Sequence, residues 1–205
     1  KGKVLSKDDL DEMENYGRYL DVDNDGICYR TYPGTHPEKG AFFTRGTSHD
    51  EFARYTEDGD INAATLTRLM KKFRTASELV PDPVIEINGE NSCGVIYYGS
   101  TSPAIQEAKD LLKGKGINID LMQIRSFPFN LDVWEFIANH DRIYVVEQNR
   151  DSQMRTLIMA EGGISPEILR PLVHFTGDPI QASFIVNKIS EREVNYKSHI
   201  NAKKR

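Results

Sequence analysis

Residues 93–101, CGVIYYGST, decide the fold of the second half of the chain. The run from Cys93 to Tyr98 is almost continuously apolar, which is typical of a strand that is covered on both faces of a sheet. A Gly-Ser-Thr turn follows, and Ser102-Pro103 opens a predicted helix, because proline is favoured at the first helical position. The stretch therefore predicts a strand, a tight turn and a helix, which is how a βαβ unit begins.

The same pattern recurs further along the chain. Apolar runs predict strands at 117–124, 142–146 and 171–175, and helical periodicity predicts helices between and after them, at 102–113, 131–137, 151–160 and 179–189. Strands that alternate with helices in this way form parallel sheets. The fold class is therefore α/β with a mostly parallel sheet.

The first half of the chain has a different texture. Residues 1–60 are polar and rich in turn signals, with a short helix predicted from Asp8 to about Tyr16 and capped by Ser6. A longer helix follows, because apolar residues recur at helical spacing at Leu66, Leu69, Met70 and Phe73. We expect this first half to be irregular and partly helical.

Proline residues set the boundary between the halves. Pro81 and Pro83 end the second helix, since proline cannot continue a helix. The predicted organisation is a first domain at 1–80, a second at 81–190 and a flexible polar tail at 191–205.

Composition excludes several classes of protein. The 205 residues carry a net charge of -5 and only two cysteines. There is no apolar run long enough to span a membrane, no visible signal peptide and no disulfide framework. The mild acidity argues against nucleic acid as a partner, and the few cysteines suit the reducing cytoplasm.

One acidic loop resembles the first half of a calcium site. Asp21, Asp23 and Asp25 alternate in DVDNDG, and Gly26 permits a sharp turn, so three carboxylates could converge on one calcium or magnesium ion. The twelfth position of an EF-hand loop would be glutamate, but here it is Tyr32. The alternative is an acidic, solvated turn.

The richest polar cluster is RGTSHDE, at residues 45–51. Ser48 and Glu51 fit a helix capping box, which leaves Arg45, His49 and Asp50 unexplained. His49 could transfer a proton or face a substrate.

Two further clusters follow predicted strands. Gly99, Ser100 and Thr101 follow the first strand, and Glu147 and Asn149 follow the third. In open α/β sheets, binding residues collect at the carboxyl ends of the strands, so these clusters should share one rim. They could meet an anion, a ligand or a neighbouring subunit, or they could simply form turns and cap helices.

Long stretches of the chain resemble a known enzyme family. These are RYLDVDNDGICYRTYPGTHPEKGAFFTRGTSHDEFARYTED at 18–58, VIYYGSTSPAIQEAKDLLKGKGI at 95–117, IRSFPF at 124–129 and YVVEQNRDSQMRTLIMAEGG at 144–163. They are similar to the alpha subunit of 2-oxoacid:ferredoxin oxidoreductases, in particular the 2-oxoglutarate type.

The resemblance implies both a fold and a place in a larger enzyme. Residues 81–190 would be a domain like the carboxyl-terminal domain of transketolase, with helices on both faces of its sheet. Residues 1–80 would be the end of the domain that binds the pyrimidine side of thiamine diphosphate, together with a linking helix. The YPITP-type substrate motif of the family does not occur here.

The resemblance also implies the chemistry of the whole enzyme. It would decarboxylate a 2-oxoacid oxidatively on thiamine diphosphate, pass electrons through an iron–sulfur cluster to ferredoxin, and transfer the acyl group to coenzyme A. This chain would hold neither cofactor, and would bind the rest of the alpha subunit and the beta subunit. Arg45, His49, Asp50 and Glu51 would lie near an interface between domains.

Two other functions stay open from the sequence. One is the carboxyl-terminal region of a transketolase or of a 2-oxoacid dehydrogenase E1-type subunit. The other is a calcium-binding module built on the acidic loop.

Overall fold

The computed structural model describes residues 2–46, 48–89 and 93–203, with side chains to residue 196. The chain forms two compact units, Lys1–Leu79 (unit 1) and Val80–Arg205 (unit 2). No helix within the described ranges is both long and apolar enough to cross a membrane.

Unit 2 contains a five-stranded sheet in its described part, in the order β1-β3-β2-β4-β5. The strands are β1 (Val84–Glu86), β2 (Cys93–Tyr98), β3 (Asp120–Ile124), β4 (Arg142–Glu147) and β5 (Leu169–Val173). Strands β2 to β5 pair in parallel, and β1 pairs antiparallel with β3 at the edge. The predicted α/β class with a mostly parallel sheet is therefore confirmed.

Helices cover both faces of this sheet. They are α3 (Ser102–Gly114), α4 (Leu131–Ala138), α5 (Gln153–Gly162) and α6 (Ala182–Lys203). Because side chains alternate along a strand, Val95 and Tyr97 of β2 pack with α3 and α6, whereas Ile96 packs with α4 and α5. Two apolar cores result, and this explains why the central strands are apolar at almost every position.

Some predicted boundaries in unit 2 were wrong. Strand β3 begins at Asp120 rather than at Ile117, because the Ile117 amide donates to the Leu112 carbonyl and so closes the end of α3. The edge strand β1 was missed altogether. It is only three residues long, too short for alternation to be visible in the sequence.

Helix α6 extends through residues that the sequence analysis expected to be a flexible tail. The described helix continues to Lys203, and Glu193 is buried. Its carboxylate accepts hydrogen bonds from Arg142 Nε (2.8 Å) and from the Tyr144 hydroxyl (2.9 Å). The burial of Glu193 could not be predicted from the polar sequence around it, because its partner, Arg142, lies on strand β4.

Unit 1 has little regular structure. Helix α1 (Lys7–Glu12) is shorter than predicted, and Ser6 caps it as expected through a bond from the Asp9 amide to the Ser6 hydroxyl. Helix α2 (Gly59–Ser77) is capped by the carboxylate of Asp58, the residue before its first turn. None of the nineteen residues of α2 is buried, so its apolar stripe does not belong to a core of this chain.

Breaking the buried pair between Arg142 and Glu193 should destabilise unit 2. Replacing Glu193 with alanine removes one partner of a buried ion pair, so we expect Glu193→Ala to lower the free energy of unfolding by about 3–5 kcal/mol. Urea denaturation measures this free energy. Glu191→Ala is the matched control, because Glu191 is exposed on the same helix.

The pair should also make stability depend on pH. Burial alone would raise the pKa of Glu193, but the Arg142 guanidinium and the Tyr144 hydroxyl outweigh burial and hold it below its ordinary value of 4.5. The contribution is therefore fully present above pH 4.5 and is lost as the pH falls through the lowered pKa. An equal loss of stability on acidification in wild type and Glu193→Ala would contradict this assignment.

Candidate functional site

The acidic loop of unit 1 is a hydrogen-bonded turn. Asp21 accepts hydrogen bonds from the backbone N–H groups of Asp25 (3.0 Å) and Gly26 (2.9 Å). Asp23 and Asp25 both accept from the Lys3 ammonium, at 2.6 and 2.9 Å. Within the described ranges, no group of three or more metal-binding side chains is arranged to hold an ion. The sequence predicted a metal ion bound by these carboxylates. In the structure, the Lys3 ammonium is the cation that contacts two of them, Asp23 and Asp25.

The same loop lies directly on helix α2. Gly26 has φ +81°, and a Cβ there would lie 2.3 Å from the backbone nitrogen of Lys72. Only glycine allows both this backbone conformation and this approach. Arg68 Nη1 donates to the Gly26 carbonyl (3.0 Å), and the Thr75 hydroxyl donates to the Asp25 carbonyl (2.6 Å). Helix α2, which has no buried residue, is therefore attached to the acidic loop by hydrogen bonds.

The RGTSHDE segment forms a tight turn and no helix. Asp50 accepts hydrogen bonds from the amides of Phe52 (2.9 Å) and Arg54 (2.8 Å), as aspartate does in turns. The predicted capping box between Ser48 and Glu51 is wrong. The Ser48 hydroxyl is buried with no hydrogen-bond partner among the described residues, and no described helix begins between the end of α1 at Glu12 and Gly59. Thr47 lies outside the described residues.

His49 belongs to a small stack of rings. Its imidazole lies on the Tyr19 ring, with centroids 3.8 Å apart, and Nδ1 lies 3.1 Å from the Asp50 carbonyl oxygen. The Arg18 guanidinium lies 5.2 Å from the centroid of the Tyr19 ring. This stack and the contact with the Asp50 carbonyl oxygen fix the orientation of the imidazole.

Asp50 and Glu51 line a cleft of about 370 Å³, which we call the acidic cleft. Asp21, Tyr19 and Arg68 also line it. Tyr19 and Arg68 could not be predicted as part of a site, because no local motif links a tyrosine to an arginine of a later helix. Three of the residues that line this cleft carry carboxylates, so it suits a polar or cationic group. Arg45 is exposed and does not line this cleft.

The predicted rim of unit 2 exists, and a glutamine joins its two clusters. Gln148 donates to the hydroxyls of Ser100 (3.2 Å) and Thr101 (3.3 Å). Gly99, Ser100 and Thr101 form a single 3₁₀ turn before α3. The structure therefore brings these residues together, and the hydroxyls face protein partners.

Glu147 and Asn149 organise the other side of this rim. Glu147 is fully buried and accepts hydrogen bonds from the Met154 (2.8 Å) and Arg155 (3.0 Å) amides at the start of α5. Asn149 donates to the Glu147 carboxylate (2.7 Å). A carboxylate at a helix N-terminus satisfies free N–H groups and opposes the positive end of the helix dipole. The geometry favours the capping alternative for this pair.

The cysteines do not fit an iron–sulfur cluster. A cluster needs about four thiolates, and this chain has two cysteines. Cys93 is buried, and burial raises the pKa of its thiol to about 12, so it remains protonated. Cys28 and Cys93 therefore do not supply the ligands of an electron-transferring cluster.

Comparison with known proteins gives this geometry a context. No protein-family model matches the chain. An alpha subunit named 2-oxoacid:ferredoxin oxidoreductase 2 from Aeropyrum pernix is 30% identical over 186 residues, which is 88% of this chain and 27% of that protein. The alpha subunit of a 2-oxoacid:ferredoxin oxidoreductase from Saccharolobus solfataricus is 26% identical over 171 residues, which is 81% of this chain and 26% of that protein.

A solved structure shares the fold. It is the 2-oxoglutarate:ferredoxin oxidoreductase from Magnetococcus marinus with 2-oxoglutarate, coenzyme A and succinyl-CoA bound. It aligns with a TM-score of 0.75 and 23% identity over 88% of this chain and 31% of that chain.

Fold and similarity together define the class of protein, an α/β chain that is similar to part of an oxidoreductase subunit. More particularly, the chain is similar to the alpha subunit of 2-oxoacid:ferredoxin oxidoreductases, which confirms the resemblance found in the sequence. It spans about a quarter of the length of the curated relatives it matches. These comparisons give no better support to the transketolase or dehydrogenase alternatives.

Docking of the acidic loop on α2 should depend on Gly26. We expect Gly26→Ala to destabilise unit 1 strongly, because the new methyl group meets both an unfavourable φ and the backbone of α2. Gly34→Ala is the matched control, since Gly34 has a similar φ of +88° but nothing within 4 Å of a built Cβ. Urea unfolding separates the two effects. Equal destabilisation by both variants would mean that the contact with α2 adds nothing beyond backbone strain.

Proposed function

We propose that the chain is the carboxyl-terminal part of the alpha subunit of a 2-oxoacid:ferredoxin oxidoreductase, of the 2-oxoglutarate type. The complete enzyme would decarboxylate its 2-oxoacid oxidatively to an acyl-CoA and reduce ferredoxin. The observation that carries this proposal is the similarity to two alpha subunits, over 81% and 88% of the chain. A match of that extent must include residues of both units.

The surface of α2 supports a role in an interface. Leu66, Leu69, Met70 and Phe73 follow one stripe of the helix, and their exposed fractions are 54%, 38%, 62% and 55%. Contiguous exposed apolar surface of this kind marks sites of protein–protein contact. We assign this stripe to contact with the rest of the alpha subunit.

Exposed aromatic residues extend the apolar surface of unit 1. Phe43 is 83% exposed, and Phe42, Phe52 and Tyr55 are each close to half exposed. Aromatic residues are enriched at interfaces between proteins. The polar segment that contains Arg45, His49, Asp50 and Glu51 lies among them in sequence, so we propose that these four residues shape the same interface. In unit 2, we assign the exposed part of the rim, Gly99 and Ser100, to contact with the rest of the enzyme. The buried Thr101 and Glu147, together with Asn149, would hold that part in place.

The catalytic cofactors would lie elsewhere in the complete enzyme. Thiamine diphosphate and the iron–sulfur cluster would be held by the rest of the alpha subunit and by the beta subunit, and ferredoxin and coenzyme A would bind the assembled enzyme. The chemistry of decarboxylation belongs to the cofactor, and the protein positions it. Two free cysteines support a reducing cytoplasmic location.

The isolated chain should be inactive. We expect no reduction of methyl viologen when the 205-residue chain is mixed with 2-oxoglutarate and coenzyme A, because thiamine diphosphate and the iron–sulfur cluster would be held elsewhere in the complete enzyme. Anaerobic spectrophotometry follows the reduced dye. Steady turnover of 2-oxoglutarate by the chain alone would refute the structural role.

The apolar stripe should be required for assembly. When the chain is co-expressed with the preceding part of the alpha subunit and with the beta subunit, it should co-purify with both and restore turnover. Met70→Glu places a charge in the stripe and should abolish co-purification, because burying an unpaired charge is costly. Thr67→Glu is the matched control, since Thr67 is exposed on α2 outside the stripe. Equal assembly of both variants would show that the stripe is not the interface.

A further inference from the structure

A second cleft in unit 1, of about 420 Å³, has a positive lining, and we call it the basic cleft. Among the described residues, every charged side chain that lines it is a cation. These cations are Lys3, Arg18, Arg30, Arg68 and Lys72. Arg68 and Tyr19 separate the basic cleft from the acidic cleft, since they line both.

Much of this positive charge meets neutral groups. Arg18 lies over the rings of Tyr19 (5.2 Å) and Phe42 (5.3 Å), and Arg68 donates to the carbonyl of Gly26. Lys72 is exposed. Lys3 differs, because it is paired with two carboxylates of the acidic loop. Within the described ranges, Arg18, Arg68 and Lys72 form no ion pair with a carboxylate, so these three cations can attract an anion.

The same three cations act on one point inside the cleft, the thiol of Cys28. Burial raises the pKa of Cys28, Arg68 lowers it, and Asp21 raises it from the side of the acidic loop. Arg18 and Lys72 both lower it. Cys28 lines the same cleft as Arg18, Arg68 and Lys72, so an anion bound in the cleft beside Cys28 would be within reach of these cations.

The rest of the lining is apolar. Tyr19, Ile27 and Leu69 contribute a ring and two aliphatic side chains. Small-molecule sites combine such apolar walls with a few polar groups, in volumes of roughly 300–1,000 Å³. The cleft therefore suits a ligand that has an organic body as well as a negative charge.

We infer that the basic cleft binds a small phosphate ester of about nucleotide size. Guanidinium groups present forked N–H donors that match the oxygens of a phosphate, and Arg18 and Arg68 supply two of them. Lys72 adds a point charge, and the apolar wall receives the organic body. The concave shape favours a small molecule over an acidic peptide, which would bind an extended surface. All described residues that line the cleft belong to unit 1, and Leu69 is the one residue of the apolar stripe among them, so this inference does not rest on the proposed function.

Cys28 provides a direct reporter of occupancy. The chain has two cysteines, and Cys93 is buried, so a thiol reagent should label Cys28 in the folded chain. The experiment measures the rate of labelling of the full 205-residue chain by a chromogenic disulfide, with and without adenosine 5′-monophosphate. Adenosine serves as the uncharged control, and potassium chloride matches the ionic strength. We expect the monophosphate to slow labelling severalfold and both controls to leave the rate unchanged.

A pair of variants tests the cations. Lys72→Gln should weaken protection by the monophosphate about tenfold in dissociation constant, as expected for the loss of one charge-assisted bond. Arg74→Gln is the matched control, because Arg74 is exposed on the same helix and does not line the cleft. Each variant is compared with itself with and without ligand, which removes the direct effect of the charge on the thiol.

Three results would overturn the inference. Absence of protection by the monophosphate would show that the cleft is not a phosphate site. Equal protection by adenosine would show that the charge plays no part. Stronger protection by a hexaglutamate peptide than by the monophosphate would assign the cleft to an acidic protein segment instead.

Discussion

The contact between Gly26 and helix α2 is the constraint on which unit 1 depends. An α-helix without a single buried residue gains nothing from an apolar core of its own chain, so its attachment must come from elsewhere. The acidic loop provides it, because a glycine without a Cβ lets the loop backbone reach the helix backbone. Arg68 and Thr75 then bond to carbonyl groups that this approach exposes. Both clefts of unit 1 are bordered by α2, and both therefore require the loop to stay in place.

Alternating aspartates such as those of the acidic loop are compatible with a metal site and also with a turn that binds a lysine side chain. Alternating aspartates can surround a cation, and here the cation that two of them contact is the ammonium of Lys3. The motif is local, but Lys3 lies some twenty residues away in the sequence, so the pattern alone could not identify its partner. His49 is similar, since its stack on Tyr19 joins residues thirty positions apart. Unit 1 thus carries charged side chains whose partners come from distant parts of the chain.

The fold of unit 2 could be predicted from the sequence because its strands are buried on both faces. Burial forces apolar residues into every position of a strand such as Cys93–Tyr98, and the helices between strands keep their own period. Edge strand β1 could not be predicted because it is short and exposed; the exposed fraction of Val84 is 49%. The capping box at Ser48 failed for another reason. A polar tetrapeptide that suits a helix start also suits a turn, and the Asp50 carboxylate stabilises the turn. The two clefts could not be predicted, since their walls join a loop and a helix through tertiary contacts.

The buried guanidinium of Arg142 bears on where this domain ends. A border drawn from polarity alone would fall near residue 190, and a polypeptide cut there would lose the carboxylate that neutralises the start of strand β4. A cut there would also remove Tyr196, whose ring centroid lies 4.2 Å from the Arg142 guanidinium. The guanidinium would lose both its carboxylate partner and part of its cover. The shortest form of unit 2 that keeps this ion pair therefore includes Glu193.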